Sequence, residues 1–135
     1  MLRFFRIYGM SVVYSLFVLY MSIVPKLPDL NLPDFDLKDK IMHGGAYVVL
    51  SMILCYELYR QRYSFSDKWM FLWGIVYPIL FGGLIELLQE NFFPPRSGEW
   101  SDWLADIIGT LIGFFLAKWL CQKFFKPEDK GLSCR

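Results

Sequence analysis

A chain of 135 residues has the length of a single domain. Its composition is 56% hydrophobic, 19% aromatic and 20% charged, whereas soluble domains average about 45–50% apolar and about 25% charged residues. A small soluble domain has too little interior to bury so much apolar surface, which excludes a soluble enzyme, a nucleic-acid-binding protein and a disulfide-held secreted module. The net charge of +1 indicates no strong electrostatic partner. The three cysteines have no CxxC spacing, so we interpret them as packing residues.

The apolar residues fall into four runs, each close to the length of about 20 residues that a helix needs to cross a bilayer. The runs are Ile7–Val24, Ile41–Tyr59, Trp69–Leu88 and Trp103–Cys121. We therefore predict an all-α fold, an integral membrane bundle of four transmembrane helices over residues 1–121, followed by a short basic tail over residues 122–135. The first run is longer than the apolar part of a signal peptide and lacks a small-residue cleavage site, so we predict that it is retained.

The distribution of Lys and Arg predicts the orientation of this bundle. Ten of the fourteen Lys and Arg residues lie in the N-terminal segment, the second loop and the C-terminal end, and four lie in the first and third loops. Because positively charged loops stay in the cytoplasm, both termini are predicted to be cytoplasmic. The predicted location is the cytoplasmic (inner) membrane, crossed several times.

Prolines predict two local features. Three prolines in Pro25–Lys40 predict an extended strap along the outer surface, because each proline fixes its own φ and restrains the residue before it. Pro78 falls inside the third run and predicts a kink, because it removes one backbone hydrogen bond.

Ionisable side chains inside apolar runs are costly, and they usually face the bundle interior. We interpret Glu57 and Lys118, near the predicted cytoplasmic helix ends, as interfacial anchors that reach water. Five other polar residues from three helices lie at the opposite, outer ends, at one depth just under the headgroups: His43, Glu86, Gln89, Asp102 and Asp106. Unrelated polar residues would be scattered, so we predict that these form a functional cluster.

Helical spacing places the cluster on packing faces. Asp39, His43 and Tyr47 are four residues apart and form one stripe if the second helix begins early. A second stripe consists of Asp102, Asp106, Gly109 and Gly113. Its two glycines form a GxxxG pair, which lets another helix approach closely. The carboxylates of this stripe are therefore predicted to point into the bundle and away from lipid.

Arg96 is the only basic residue between Glu90 and Asp102. Its guanidinium group can bind a phosphate through two parallel hydrogen bonds. The other interpretation is a salt bridge to a carboxylate of the same loop. The two are compatible if the bridge gives way to substrate.

These residues, in this order, resemble the VanZ-like family of small membrane proteins over about residues 24–120. The pieces that carry the resemblance are Asp39-Lys40-x-x-His43-x-x-x-Tyr47, Gly83-x-x-Glu86-x-x-Gln89, Arg96 and Asp102-x-x-x-Asp106-x-x-Gly109-x-x-x-Gly113. One position departs from the family pattern, which usually has Asn where this chain has Asp106. A carboxylate there adds a negative charge or a further proton site.

The resemblance implies a protein of the cell envelope with a link to glycopeptide (teicoplanin) resistance. VanZ-like proteins look related to membrane proteins that include phosphatidylserine synthases, which exchange lipid headgroups. The resemblance thus implies an enzyme that acts on a membrane phospholipid or on a polyprenyl-phosphate-linked cell-wall intermediate.

The residue chemistry is compatible with this reaction. His43 is suited to act as general base or nucleophile, with Asp39 or Glu86 orienting its ring. Gln89, Arg96 and Lys40 are suited to bind phosphate oxygens, and Asp39 and Tyr47 complete the predicted binding residues. The predicted catalytic residues are His43, Glu86, Asp102 and Asp106. The last three either hold a divalent cation, Ca²⁺ or Mg²⁺, or share a proton.

Two other readings of the cluster remain. The same pocket could bind a lipid headgroup, or alter antibiotic access to the cell surface, without catalysis; such a protein would tolerate His43→Gln. An ion path is disfavoured, because the cytoplasmic half of the helices supplies only Glu57 and Lys118 and no continuous polar track.

Overall fold

The protein is described by a computed structural model, which covers residues 2–24, 35–60, 67–93 and 99–124. Within these ranges nearly all residues are helical and none is in a strand. The elements are α1 (Leu2–Ile23), α2 (Phe35–Arg60), α3 (Asp67–Phe71), a π-helical segment (Leu72–Val76), α4 (Tyr77–Phe92) and α5 (Trp100–Phe124).

Four spans in this part of the chain are long and apolar enough to cross a membrane: Arg6–Ile23, Asp39–Arg60, Lys68–Phe92 and Trp100–Phe124. The third combines most of α3 with the π-helical segment and α4. The predicted all-α bundle of four membrane helices is therefore confirmed. Large apolar side chains such as Val13, Leu80 and Phe115 are more than 60% exposed, and such an apolar surface suits lipid better than water.

The helices begin earlier than the apolar runs indicate. α2 begins at Phe35, so Asp39 and Lys40 are helical and the predicted stripe through His43 is continuous. The predicted strap over residues 25–40 is therefore wrong for its last six residues, where helix-forming Leu and Lys follow the last proline. Its remaining residues lie outside the described ranges, as does the tail beyond Phe124.

The close packing of α2 against α5 depends on glycine. A Cβ atom on Gly109 would lie 2.1 Å from the carbonyl oxygen of Gly44, and one on Gly113 would lie 2.3 Å from that of Val48. Both glycines are buried. The GxxxG pair of α5 thus packs directly on the backbone of α2, as its spacing predicts, and the two helices run parallel.

The third span contains a π-helical segment, Leu72–Val76, just before Pro78, where the sequence predicts a kink. In a regular α-helix the N–H of residue 78 would donate to the carbonyl of Gly74, but proline has no N–H. The buried Ser51 hydroxyl of α2 donates to that Gly74 oxygen over 2.7 Å. A neighbouring helix therefore satisfies a carbonyl that proline leaves open, as membrane helices require.

We expect Ser51→Ala to lower the free energy of unfolding by about 1 kcal/mol, because it leaves a buried carbonyl without its donor. Unfolding by denaturing detergent measures this change. In the Pro78→Ala background the loss should shrink, because alanine restores a backbone N–H. Ser101→Ala, which removes only an exposed contact to Glu99, is the control. If Ser51→Ala lowered the free energy of unfolding equally in both backgrounds, Ser51 would not be compensating for the N–H that Pro78 lacks.

Glu57 differs from its predicted role as an interfacial anchor. Its side chain is only 4% exposed, and its Oε1 accepts hydrogen bonds from the backbone N–H groups of Met10 (2.9 Å) and Ser11 (3.3 Å). These groups follow a break in α1 at Tyr8, where φ is −109° and ψ is 15°. The anchor interpretation is wrong because the break frees N–H groups for which a carboxylate is a favourable partner. Lys118, by contrast, is exposed.

Candidate functional site

Four helix ends meet at one end of the bundle, which we call the cluster end. Gln89 Nε2 of α4 donates to the Ser22 carbonyl of α1 over 2.7 Å. Glu86 Oε2, one turn earlier, accepts from the backbone N–H of Glu99 over 2.9 Å, just before α5 begins. The ends of α1 and α4 and the beginnings of α2 and α5 therefore lie together. Residues 25–34 and 94–98, which connect these helices, lie outside the described ranges.

A histidine and four carboxylates converge here, and we call them the His43 cluster: Asp39, His43, Glu86, Asp102 and Asp106. His43 Nδ1 lies 3.6 Å from Asp106 Oδ1. That separation suits an ion pair but is longer than a hydrogen bond. The Asp106 side chain is 2% exposed and that of His43 is 13% exposed, so the pair lies inside the bundle.

Several oxygen atoms around this pair are buried without a hydrogen-bond partner. Among the described residues near the cluster they are Tyr47 Oη, Glu86 Oε1, Asp102 Oδ1, Asp106 Oδ1 and Thr110 Oγ1. A buried polar atom without a partner costs free energy on the order of 1–3 kcal/mol. So many at one place make the cluster a candidate site for a polar or charged ligand.

Gly82 of α4 packs against the inner side of the His43 cluster, where there is no space for a side chain. A Cβ atom at this position would lie 2.8 Å from Asp106 Oδ2 and 3.2 Å from Tyr47 Oη. Any side chain larger than hydrogen would therefore displace one of these two oxygens. The third span, which supplies Glu86, thereby approaches α2 and α5 closely at this level.

The His43 cluster divides into two overlapping groups of potential metal ligands. Asp39, His43 and Asp102 form one group, and His43, Glu86 and Asp106 form the other; within each group the ligand atoms lie within 4.8 Å of one another. The second group lies deeper, because Glu86 and Asp106 are both buried. Both groups contain His43.

An apolar groove opens beside the cluster, between α4 and the beginning of α5. Its volume is about 330 Å³, and its walls include Leu80, Leu84 and Leu87. Trp103 forms part of the opposite wall, held by an Nε1–H hydrogen bond of 3.0 Å to the Ile79 carbonyl. Glu86 lines this groove and also belongs to the His43 cluster. Two further carboxylates, of Glu90 and Glu99, lie in the same lining.

The structure brings most of the predicted site residues together. His43, Glu86, Asp102, Asp106 and Asp39 form the cluster, Tyr47 directs its hydroxyl toward Gly82, and Lys40 lies close enough to Asp102 to interact electrostatically. Gln89 is close by, but its amide is bonded to Ser22 and joins α4 to α1. Arg96 lies outside the described residues.

Thr110 is a member of this region that sequence reasoning missed. It is fully buried and stands four residues after Asp106, on the same face of α5. The spacing of four residues from Asp106 is the sequence feature that could have identified Thr110 as part of this region. A threonine inside an apolar run is weak evidence for a site, because its hydroxyl can bond within its own helix.

Comparison of the chain with protein-family models, with curated proteins and with solved structures finds no match. The chain has four helices suited to crossing a membrane, which places it in the class of multi-pass membrane proteins. The similarity to the VanZ-like family stays a prediction based on the motif residues.

Proposed function

We propose that this protein is an integral membrane enzyme that modifies the phosphate-containing headgroup of a membrane lipid. The substrate is a phospholipid or a polyprenyl-phosphate-linked precursor of the cell envelope. The observation that carries the proposal is the position of Glu86, which belongs to the buried His43 cluster and also lines an apolar groove. A polar centre that shares a side chain with an apolar groove suits an amphiphile.

The groove favours a lipid over a soluble substrate. Its leucine-rich wall lies on α4 and includes Leu80 and Leu84. These side chains are more than half exposed, so the groove opens onto the apolar surface of the bundle. A lipid chain can enter the groove from the bilayer without crossing water, so its apolar surface stays in apolar surroundings throughout. With the chain in the groove, the headgroup would lie beside Glu86.

His43 is the residue best suited to activate the attacking group. A water molecule or an alcohol attacks phosphorus while its proton passes to the imidazole of His43. The bond between phosphorus and the leaving oxygen breaks, and that oxygen takes up the proton from the imidazolium of His43. Asp106, at 3.6 Å from Nδ1, stabilises the imidazolium form in a low-dielectric site. Lys40 of α2 and Arg96, which precedes α5 in the chain, are the basic groups that we assign to the phosphate.

The distribution of Lys and Arg in the sequence is the basis for placing the protein in the cell. We propose the cytoplasmic membrane, both termini in the cytoplasm and the cluster end at the outer leaflet. Lipid-linked cell-wall precursors are exposed there, and glycopeptide antibiotics act at that surface. A change in these lipids would be the connection to teicoplanin resistance that the VanZ-like resemblance implies.

Lipid analysis of the host membrane tests the proposal. We expect a strain that lacks the protein to accumulate one phospholipid or polyprenyl-linked species, and the wild-type gene to remove that species. His43→Gln should behave like the deletion, because glutamine keeps the size of the side chain but not its basicity. Gly45→Ala, on the same helix with no atom within 4 Å of the added methyl group, is the matched control.

A folded His43→Gln protein that restores the wild-type lipid profile would overturn the catalytic proposal. A deletion with a phenotype but unchanged lipids would also count against it. The protein would then be a binder of lipid headgroups or a modulator of antibiotic access.

A further inference from the structure

We infer that His43, Glu86 and Asp106 form a binding site for one divalent transition-metal ion at the cluster end. These residues come from α2, α4 and α5, so the ion would join three of the four spans. In the metal-bound protein His43 is a ligand, and the ion in its place would activate the attacking group. This catalytic role rests on the proposed function, whereas the binding of the ion does not. The two are therefore tested separately.

The separation of His43 and Asp106 supports an ion between them. With metal–ligand bonds of about 2.0–2.2 Å, two ligands of one ion lie about 3–4.3 Å apart. The observed 3.6 Å between Nδ1 and Oδ1 falls in this range, and it is too long for a direct hydrogen bond. The whole group, within 4.8 Å, needs only a small adjustment.

Unpartnered oxygens provide independent support. Glu86 directs Oε2 to the backbone N–H of Glu99, which orients the carboxylate and leaves Oε1 buried without a partner. Asp106 Oδ1, which faces His43 Nδ1 at 3.6 Å, is also buried without a hydrogen-bond partner, on a residue that is 1% exposed. An ion would satisfy both oxygens, and the Glu99 bond is the kind of outer contact that positions metal ligands.

The ligand set favours a transition metal over Ca²⁺ or Mg²⁺. Calcium and magnesium prefer sites made of oxygen ligands, whereas imidazole suits Zn²⁺, Fe²⁺ and related ions. Carboxylate ligands suit Mn²⁺ as well as Zn²⁺. One nitrogen and two carboxylates therefore fit Mn²⁺ or Zn²⁺ better than the hard cations that the carboxylates alone predict.

The inner group is the better site of the two. Glu86 and Asp106 are both buried and both retain an unpartnered oxygen. In the outer group Asp39 is only half-buried and already takes part in another interaction. The two groups share His43, and its neutral ring offers one lone pair for a metal, so we assign a single ion.

An ion at this site would also resolve an electrostatic difficulty of the proposed function. Four carboxylates at one place repel a phosphate group, and Lys40 is the one basic side chain that the described residues place beside them. A divalent cation neutralises part of the negative charge and polarises a phosphoryl oxygen. Without it, a phosphate would meet a strongly negative site.

Metal titration of the full-length protein in lipid nanodiscs tests the inference. The protein is stripped with chelator and titrated with Mn²⁺, whose free form is followed by electron paramagnetic resonance; Zn²⁺, Mg²⁺ and Ca²⁺ are then added as competitors. We expect one Mn²⁺ per chain, displaced by Zn²⁺ and not by equal concentrations of Mg²⁺ or Ca²⁺.

Variants locate the site. Glu86→Gln and Asp106→Asn should each weaken binding by at least about 10–100-fold, the loss that removal of even an outer-shell partner causes. Glu90→Gln is the matched control, since Glu90 lies one turn later on α4 and is exposed. Asp39→Asn should leave the affinity within a few-fold of wild type.

Three results would overturn the inference. They are wild-type protein that binds no stoichiometric Mn²⁺ or Zn²⁺, equal losses for Glu86→Gln and Glu90→Gln, and a dominant loss for Asp39→Asn, which would place the ion in the outer group. The wild-type titration decides even if a variant fails to fold. Metal binding with unchanged host lipids would disprove only the enzyme, and a lipid change that depends on His43 without metal binding would disprove only the ion site.

Discussion

Gly109→Ala is expected to separate α5 from α2 and to destabilise the protein by about 3 kcal/mol or more. The added methyl group would lie 2.1 Å from the Gly44 carbonyl oxygen and 2.9 Å from its Cα atom. Both are backbone atoms, so no rotamer change relieves the overlap and one helix must move. Overpacking of a close contact costs about 1–3 kcal/mol and sometimes more. Here it also removes the van der Waals contacts that hold membrane helices together.

The same displacement should disturb the site. Gly44 follows His43 on α2, and Gly109 lies three residues after Asp106 on α5, so moving these backbones apart lengthens the 3.6 Å separation of the two side chains. Detergent-unfolding curves measure the stability, and Mn²⁺ titration reports the site. Gly45→Ala adds the same methyl group next to Gly44 where no atom lies within 4 Å. Similar stabilities of the two variants would contradict this description of the helix interface.

Gly82→Ala should reduce turnover by about 100-fold while leaving the bundle folded. Its methyl group would lie 2.8 Å from Asp106 Oδ2 and 3.2 Å from Tyr47 Oη, so the carboxylate must shift away from its present position. A misplacement of about 1 Å near a reacting centre can cost about 100-fold in rate. The contacted atoms belong to side chains, so the helices themselves need not separate.

Two readouts distinguish this effect from general damage. The lipid profile of a complemented deletion strain reports function, and size-exclusion elution with an unfolding curve reports the fold. We expect Gly82→Ala to fail only the first and Gly45→Ala to pass both. Wild-type lipids in a Gly82→Ala strain would show that the position of Asp106 is unimportant.

The sequence predicted the membrane bundle and much of the site because both depend on local patterns. Apolar run length determines the number of spans, and spacings of three and four place Asp106 and Gly109 on one helix face. The GxxxG pair also predicted that another helix would approach α5 closely, although not that this helix would be α2. These features need no knowledge of how distant segments meet.

Other features could not be predicted because they depend on contacts between distant segments. The bond from Ser51 to the Gly74 carbonyl and the contact of Glu57 with the break in α1 join residues on different helices. The position of Glu86 in both the groove and the cluster depends on how α4 and α5 pack. Residue spacing within one helix contains no information on such partners.

The contacts of α1 have a consequence for how the chain assembles. Within the described residues polar bonds attach α1 to its neighbours, among them the bond from the Met10 N–H to Glu57 and the bond from Gln89 to the Ser22 carbonyl. These attachment points are twelve residues apart, or about 18 Å along a helix. An apolar helix in lipid can slide and rotate against its neighbours at little cost, but two fixed points prevent both movements. The helix α1 therefore acquires its final depth and rotation only after α2 and α4, which carry Glu57 and Gln89, have entered the bilayer.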